Sequence, residues 1–147
     1  MQLSPHFTLA EFTRSDTADA LKIANTPTKA HQANLQRLAA NLEKVRTLLG
    51  DRPITVNSAY RNPAVNRAVG GVKTSDHAQG NAADIMVHGL SAYEVAKRIR
   101  DSGIKFDQLI LETSRKVVHI SFAPRMRQQV LTQAGKAGSA IQQGLWL

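Results

Sequence analysis

The chain has 147 residues, 42% of them hydrophobic and 20% charged, a size and balance that suit one globular core and not several. It holds no cysteine, which excludes a disulfide scaffold, a cysteine-ligated zinc ribbon, a thiol nucleophile and an iron–sulfur cluster. Nineteen Lys and Arg against eleven Asp and Glu give a formal charge of +8, which favours anionic partners, while 5% aromatic residues are too few for base-stacking platforms.

No stretch approaches the ~20 apolar residues that cross a bilayer. The opening Met1–His6 has neither a basic nor an apolar region, so no secretory signal peptide is expected. Phe7–Phe12 reads as a one-turn helix with Thr8 as its N-cap and Glu11 completing a capping box. Residues 14–27 are polar and turn-rich. Thr28–Leu49 is a long amphipathic helix: Leu35, Leu38, Leu42, Val45, Leu48 and Leu49 recur at helical spacing, and Gly50 stops it. Ile54–Tyr60 alternates as a strand, and Asn62-Pro63 opens a short helix over Ala64–Val69. Val72–Asn81 is a polar loop, and Ala82–Val87 a second strand. Ser91–Ser102 is a helix capped by Ser91 and ended by Gly103. Gln108–Glu112 and Val117–Phe122 form a hairpin candidate. Arg125–Ala134 has helical character, and Gly135–Leu147 is Gly-, Ala- and Gln-rich with little structure. The whole predicts one α+β domain over 1–147, with a core of about 4–125, a C-terminal helix and tail over 126–147, and helices packed on a small antiparallel sheet.

Chemistry concentrates in a few positions. Asp84 lies inside an apolar strand, where a bare carboxylate costs several kcal/mol, so it needs a partner: a metal ion or an arginine. Strand alternation puts Ala83, Ile85 and Val87 on the core face and Asp84 on the other. His119 likewise faces away from Val118, Ile120 and Phe122. If the hairpin turns between Arg115 and Lys116, Glu112 lies opposite His119, with Cβ atoms roughly 5 Å apart. His77, in the polar loop, is a third candidate. Two histidines and an aspartate are three ligands, the number a catalytic zinc takes while keeping a position open, and Glu112 would be the general base. The spacing alone fits structural histidines as well and leaves that reading open. His88 stands four residues beyond Asp84, about 13 Å along the strand, too far to share one ion. His6 and His31 read as surface residues.

The run Ser75-Asp76-His77-Ala78-Gln79-Gly80-Asn81-Ala82-Ala83-Asp84 resembles the Ser-x-His-x-x-Gly-x-Ala-x-Asp signature of the zinc D-alanyl-D-alanine carboxypeptidase family. Upstream, Asn57–Asn66 is similar to that family's Ser-Gly-Tyr-Arg-Ser-Pro segment, with Val69-Gly70-Gly71-Val72 following. Downstream, Phe106–Glu112 and Val118–Phe122 resemble its closing hairpin. Phe7–Ser15 looks like a phage and prophage branch that includes endolysins. The resemblance covers roughly residues 4–125.

What it implies is a hedgehog/DD-peptidase-like α+β fold and one Zn²⁺ held by His77, Asp84 and His119. Arg61 matches an arginine that binds and polarises substrate, and Ser75 a serine that hydrogen-bonds it. The implied activity is hydrolysis of D-residue-containing peptidoglycan stem peptides, as a carboxypeptidase or an endopeptidase. The implied setting is the producing cell's cytoplasm before release to the wall, or the virion; the +8 charge adds an anionic envelope surface as a further expected partner, and without a helix-turn-helix or aromatic stacking signature no nucleic acid is expected. Two family positions differ. The acid or histidine common shortly before the last ligand is replaced by Lys116 and Val117, which leaves the base role to Glu112. The alternative is a zinc-binding module that has lost catalysis and binds cell wall or a protein partner.

Overall fold

Alternating burial along a run of strands organises this molecule around a six-stranded sheet. The computed structural model describes residues 1–72, 74–135 and 141–146. A small ribbon of β1 (Gln2–Ser4) and β2 (Phe7–Thr8) leads into α1 (Leu9–Thr13), α2 (Asp16–Leu21) and the 20-residue α3 (Lys29–Leu48). There follow β3 (Ile54–Ser58), α4 (Pro63–Ala68), α5 (Asp76–Gln79), β4 (Ala82–Val87), α6 (Ala92–Asp101), β5 (Gln108–Glu112), β6 (Val117–Ser121), β7 (Gln129–Gln133) and β8 (Ile141–Gln143). The larger sheet runs β3-β4-β6-β5-β7-β8. Its neighbours are antiparallel except β5 and β7, which run parallel. The fold is α+β, as the sequence predicts, with a sheet larger and less uniform than expected.

Local chemistry accounts for most of the helices. Thr8 accepts from the Glu11 amide while the Glu11 carboxylate takes the Thr8 amide, the reciprocal capping box. Thr28 caps α3, which buries Leu35, Leu38, Ala39, Leu42 and Val45 at intervals of three and four; Leu48 lies outside that stripe and stays exposed. Ser91 caps α6, which buries Val95, Ala96 and Ile99. These stripes meet Ala83, Ile85 and Val87 of β4, Leu109 and Leu111 of β5, and Val118 and Ile120 of β6 in one apolar cluster. The core therefore occupies one face of the sheet, and the period-two alternation sends Asp84, His119 and Glu112 to the opposite face.

Four expectations are corrected. The turn-rich segment after Arg14 contains α2, capped by Ser15 at the Ala18 amide. The loop before Asn81 contains α5. The segment over 125–134 is not helical: Met126 and Gln128 have φ of 44° and 56°, outside the right-handed region, and Gln129–Gln133 pairs along the free edge of β5 instead. The tail carries β8, which lengthens the same sheet, so the described residues of 126–146 form no helical appendage. Residues 136–140 and Leu147 of the expected tail lie outside the described residues.

Candidate metal centre and its cleft

His77 owes its position to a four-residue helix with strong ends. The Ser75 hydroxyl accepts from the His77 amide at 3.2 Å, and Gly80 closes the turn at φ 78°. A Cβ at Gly80 would lie 2.8 Å from the His31 carbonyl oxygen, so close approach as well as handedness demands glycine there. The His77 ring is 3% exposed, and its Nδ1 donates to the Ala59 carbonyl at 2.7 Å. A carbonyl can only accept, so this bond fixes the tautomer and leaves Nε2 as a bare lone pair.

That lone pair faces Asp84 Oδ1 at 3.2 Å. His119 Nδ1 approaches the same oxygen at 3.1 Å, from the position directly across the β4–β6 ladder. The His77 and His119 rings stand 5.1 Å apart at 63°. An acceptor nitrogen against an acceptor oxygen is stable only with a proton or a cation between them. One donor atom from each of His77, Asp84 and His119 lies within 4.8 Å of the others. Two imidazoles and one carboxylate, converging and largely buried, fit a small divalent metal of the zinc type better than calcium or magnesium, which take oxygen sets. The Ala59 carbonyl is the outer partner that orients the imidazole. Burial alone would raise the Asp84 carboxyl; with a proton between His77 Nε2 and Asp84, the His77 charge and the hydrogen bonds from both histidines outweigh it and hold the pKa well below the usual carboxylate range.

The remaining candidates line the same cleft: Arg61, Ser75 and Glu112 open onto it with the triad. Arg61 is half-buried, and its Nε is buried without a hydrogen-bond partner among the described residues. Burial lowers its pKa, countered by Asp84 and Glu112 and reinforced by Arg115. His88 is exposed, as expected of a residue outside the site. His6 pairs with Glu43 at 2.8 Å, and His31, expected at the surface, is half-buried with its Nδ1 3.2 Å from the Tyr60 hydroxyl.

The hairpin register differs from the expected one. Ile110, not Glu112, stands opposite His119, and Glu112 stands opposite Val117. The connection holds four residues, Thr113–Lys116, with Lys116 at φ 56°. The shift moves the pairing by two positions, which preserves the face. Glu112 thus shares the site face with His119 on a diagonal instead of directly across. It is 9% exposed and accepts from Arg115 Nη1 at 2.9 Å. Arg115 also reaches Asp84 Oδ2 from both terminal nitrogens at 3.4 Å. Burial opposes the Arg115 charge, but Asp84 and Glu112 prevail and raise its pKa.

The chain matches the family model for Peptidase M15 over residues 5–121, which spans the whole triad and Glu112. The chain belongs to the peptidase M15 family. The zinc D-Ala-D-Ala carboxypeptidase of Streptomyces albus G is 34% identical to it over 100 residues, 67% of this chain. The match takes in 38% of that relative, so this M15 chain spans well under half of the relative's length.

In and behind the M15 cleft stand residues to which sequence reasoning gave no site role. Arg115 is the arginine partner for Asp84 that the sequence held as the alternative to a metal, and it reaches the same carboxylate that the two histidines face. Its signal was its place three residues after Glu112 in a hairpin. Asp76 accepts from Ser121 Oγ at 2.8 Å and from Arg125 at 2.7 Å, tying the His77 helix to the end of β6. Asp107, fully buried, receives Arg127 in a two-pronged pair at 2.9 and 3.0 Å. No single-residue pattern marks these, because each partner comes from a different element.

Proposed function

We propose that this chain is a zinc-dependent hydrolase of D-residue-containing peptidoglycan stem peptides. The observation that carries the proposal is the convergence of His77, Asp84 and His119 in a cleft that also holds a buried carboxylate, Glu112, and a half-buried arginine, Arg61. The family and the name of the Streptomyces relative support the substrate class. His77 Nε2, Asp84 Oδ1 and His119 Nδ1 would hold the ion. A bound zinc supplies Lewis acidity, activating a water and polarising the scissile carbonyl.

The chain's own residues do the rest. Glu112 accepts the proton of the attacking water and returns it to the leaving amine. Arg61, half-buried in the cleft wall, donates from its guanidinium to the carbonyl oxygen as charge gathers there. The Ser75 hydroxyl accepts from the His77 amide and keeps its own proton for a substrate carbonyl. Arg115 holds Glu112 until substrate arrives. The finer setting, an endolysin-type enzyme of phage or prophage origin acting at the wall, rests on the Phe7–Ser15 resemblance and the +8 charge.

A second reading, a zinc module without hydrolysis, draws on the Glu112–Arg115 pair, which occupies the proposed base. One experiment separates the two. Purified peptidoglycan is digested with and without chelator, and new termini are identified by mass spectrometry. New peptide ends that vanish on chelation and return with zinc support the peptidase. Intact peptidoglycan alongside a stoichiometric zinc overturns it in favour of the binding module.

A further inference from the structure

Running along the sheet face, the cleft has two unlike ends. At the level of Glu112 stands Arg115, paired with Glu112 and Asp84, and Arg61 lines the same cleft. At the other end, beyond His119 and its partner Ile110, lie Gln108 and its partner Ser121, two residues or ~7 Å along the strands. Arg125 and Arg127 line the cleft there. Both guanidiniums are braced from behind. Arg127 spends Nε and Nη2 on Asp107, and Arg125 spends Nη2 on Asp76 at 2.7 Å and Asp107 at 3.1 Å. Their side chains remain 43% and 53% exposed. Each keeps a second terminal nitrogen outside these pairs.

Two braced, half-exposed guanidiniums beside a cleft are a preorganised anion receptor, because their ordering is already complete before a ligand arrives. Charge favours an anion too. The cleft's four arginines balance Asp76, Asp84, Glu112 and the Asp107 behind them, so a divalent ion in the triad leaves an uncompensated charge of about plus two.

We infer that Arg125 and Arg127 form a carboxylate subsite that fixes the peptide substrate in the cleft. This rests on the peptidase reading above. The ~7 Å of strand, to which the arginine side chains add their own reach, corresponds to about two to three residue lengths of extended peptide, which places the bound carboxylate within about three residues of the scissile bond. Two groups in a stem peptide meet that description: the terminal α-carboxylate and the free carboxylate of an internal acidic residue.

The test uses the zinc-loaded full chain and a synthetic stem pentapeptide ending in D-Ala-D-Ala. It is prepared as the free acid, as the C-terminal amide, with the internal glutamyl carboxylate amidated, and with both amidated. Arg125→Gln leaves Asp107 its Arg127 partner, and Arg127→Lys keeps charge against Asp107 while losing the fork. Each should raise KM for the free acid about tenfold or more, with zinc content unchanged. The rise should vanish on whichever amidated peptide lacks the carboxylate being read, which names the source. Equal effects on all four peptides, or none on any, overturn the subsite. Should Arg125→Gln fail to fold, Arg125→Lys takes its place under the same criteria. If the wild-type chain cleaves none of the peptides, calorimetric binding replaces KM. Carboxylate-dependent binding lost in the variants then upholds the subsite while the peptidase reading falls. Carboxylate-independent binding, or none, overturns the subsite.

Discussion

The tautomer of His77 is the residue-scale fact from which the site follows. Its Nδ1 proton is committed to the Ala59 carbonyl, so Nε2 has only a lone pair to offer Asp84. Removing either ligand should therefore abolish zinc binding: His77→Ala or Asp84→Ala should reduce metal content by elemental analysis from about one per chain to near zero. His88→Ala should retain full occupancy, since His88 lies exposed beyond β4. Loss of metal in His88→Ala with retention in His77→Ala would refute the ligand set. Glu112→Gln preserves size and the acceptor for Arg115 but not the proton acceptor. It should lower kcat by ~100-fold to ~10,000-fold with zinc intact. A change of only a few-fold would assign proton transfer elsewhere.

Elements turn those side chains into a site. The α5–β4 junction delivers His77 and Asp84 seven positions apart, and it depends on one residue without a side chain. Gly80→Ala would meet both the left-handed backbone and the His31 carbonyl oxygen at 2.8 Å, a backbone atom of α3 that cannot swing aside. The conformational part alone is about 1–2 kcal/mol, so the denaturant midpoint should fall clearly and zinc affinity with it. An unchanged midpoint would show that the junction relaxes freely. Beneath the sheet, α3 holds the opposite face. Leu42 is fully buried in the core, and Leu42→Ala should destabilise the fold by about 2–5 kcal/mol, read by the same denaturation.

At the scale of the molecule, the C-terminal strands are pinned to the sheet through Asp107. Its pKa lies below the ordinary carboxylate value, chiefly through the hydrogen bond from Arg127, against burial, and with help from the Arg127 amide and Arg125. A group with a depressed folded pKa stabilises the fold fully above its unfolded value, ~4. That contribution declines as pH falls below that value and is lost once pH passes the folded pKa. Stability measured by denaturation should therefore fall below about pH 4 with a slope that Asp107→Asn flattens. Asp107→Asn should also be less stable at neutral pH, where Arg127 loses its counter-charge. An identical acid slope in the variant would refute the assignment.

Much of this was legible in the sequence because it is written locally. Thr8 with Glu11, the α3 leucines and Ser91 with Gly103 are signals within a turn or two of the chain. Alternation alone told which face of β4 carries Asp84 and which face of β6 carries His119. The Ser75–Asp84 run carried the family. Tertiary structure decided what depends on residues far apart. The polar loop around His77 becomes helix because Ser75 caps it and the His31 backbone leaves no room at Gly80 for anything but glycine. The segment over 129–133 has the composition of a helix but becomes a strand because β5 offers an unpaired edge and the backbone at Met126 and Gln128 turns left-handed. The register of the hairpin, Ile110 and not Glu112 opposite His119, follows from a four-residue turn that alternation cannot specify, since a slip of two positions leaves every side chain on the same face. Side-chain periodicity is a local property and sets the faces. Register, edges and the arginines that brace the cleft are set by which strands meet, and that is decided only when the whole sheet assembles.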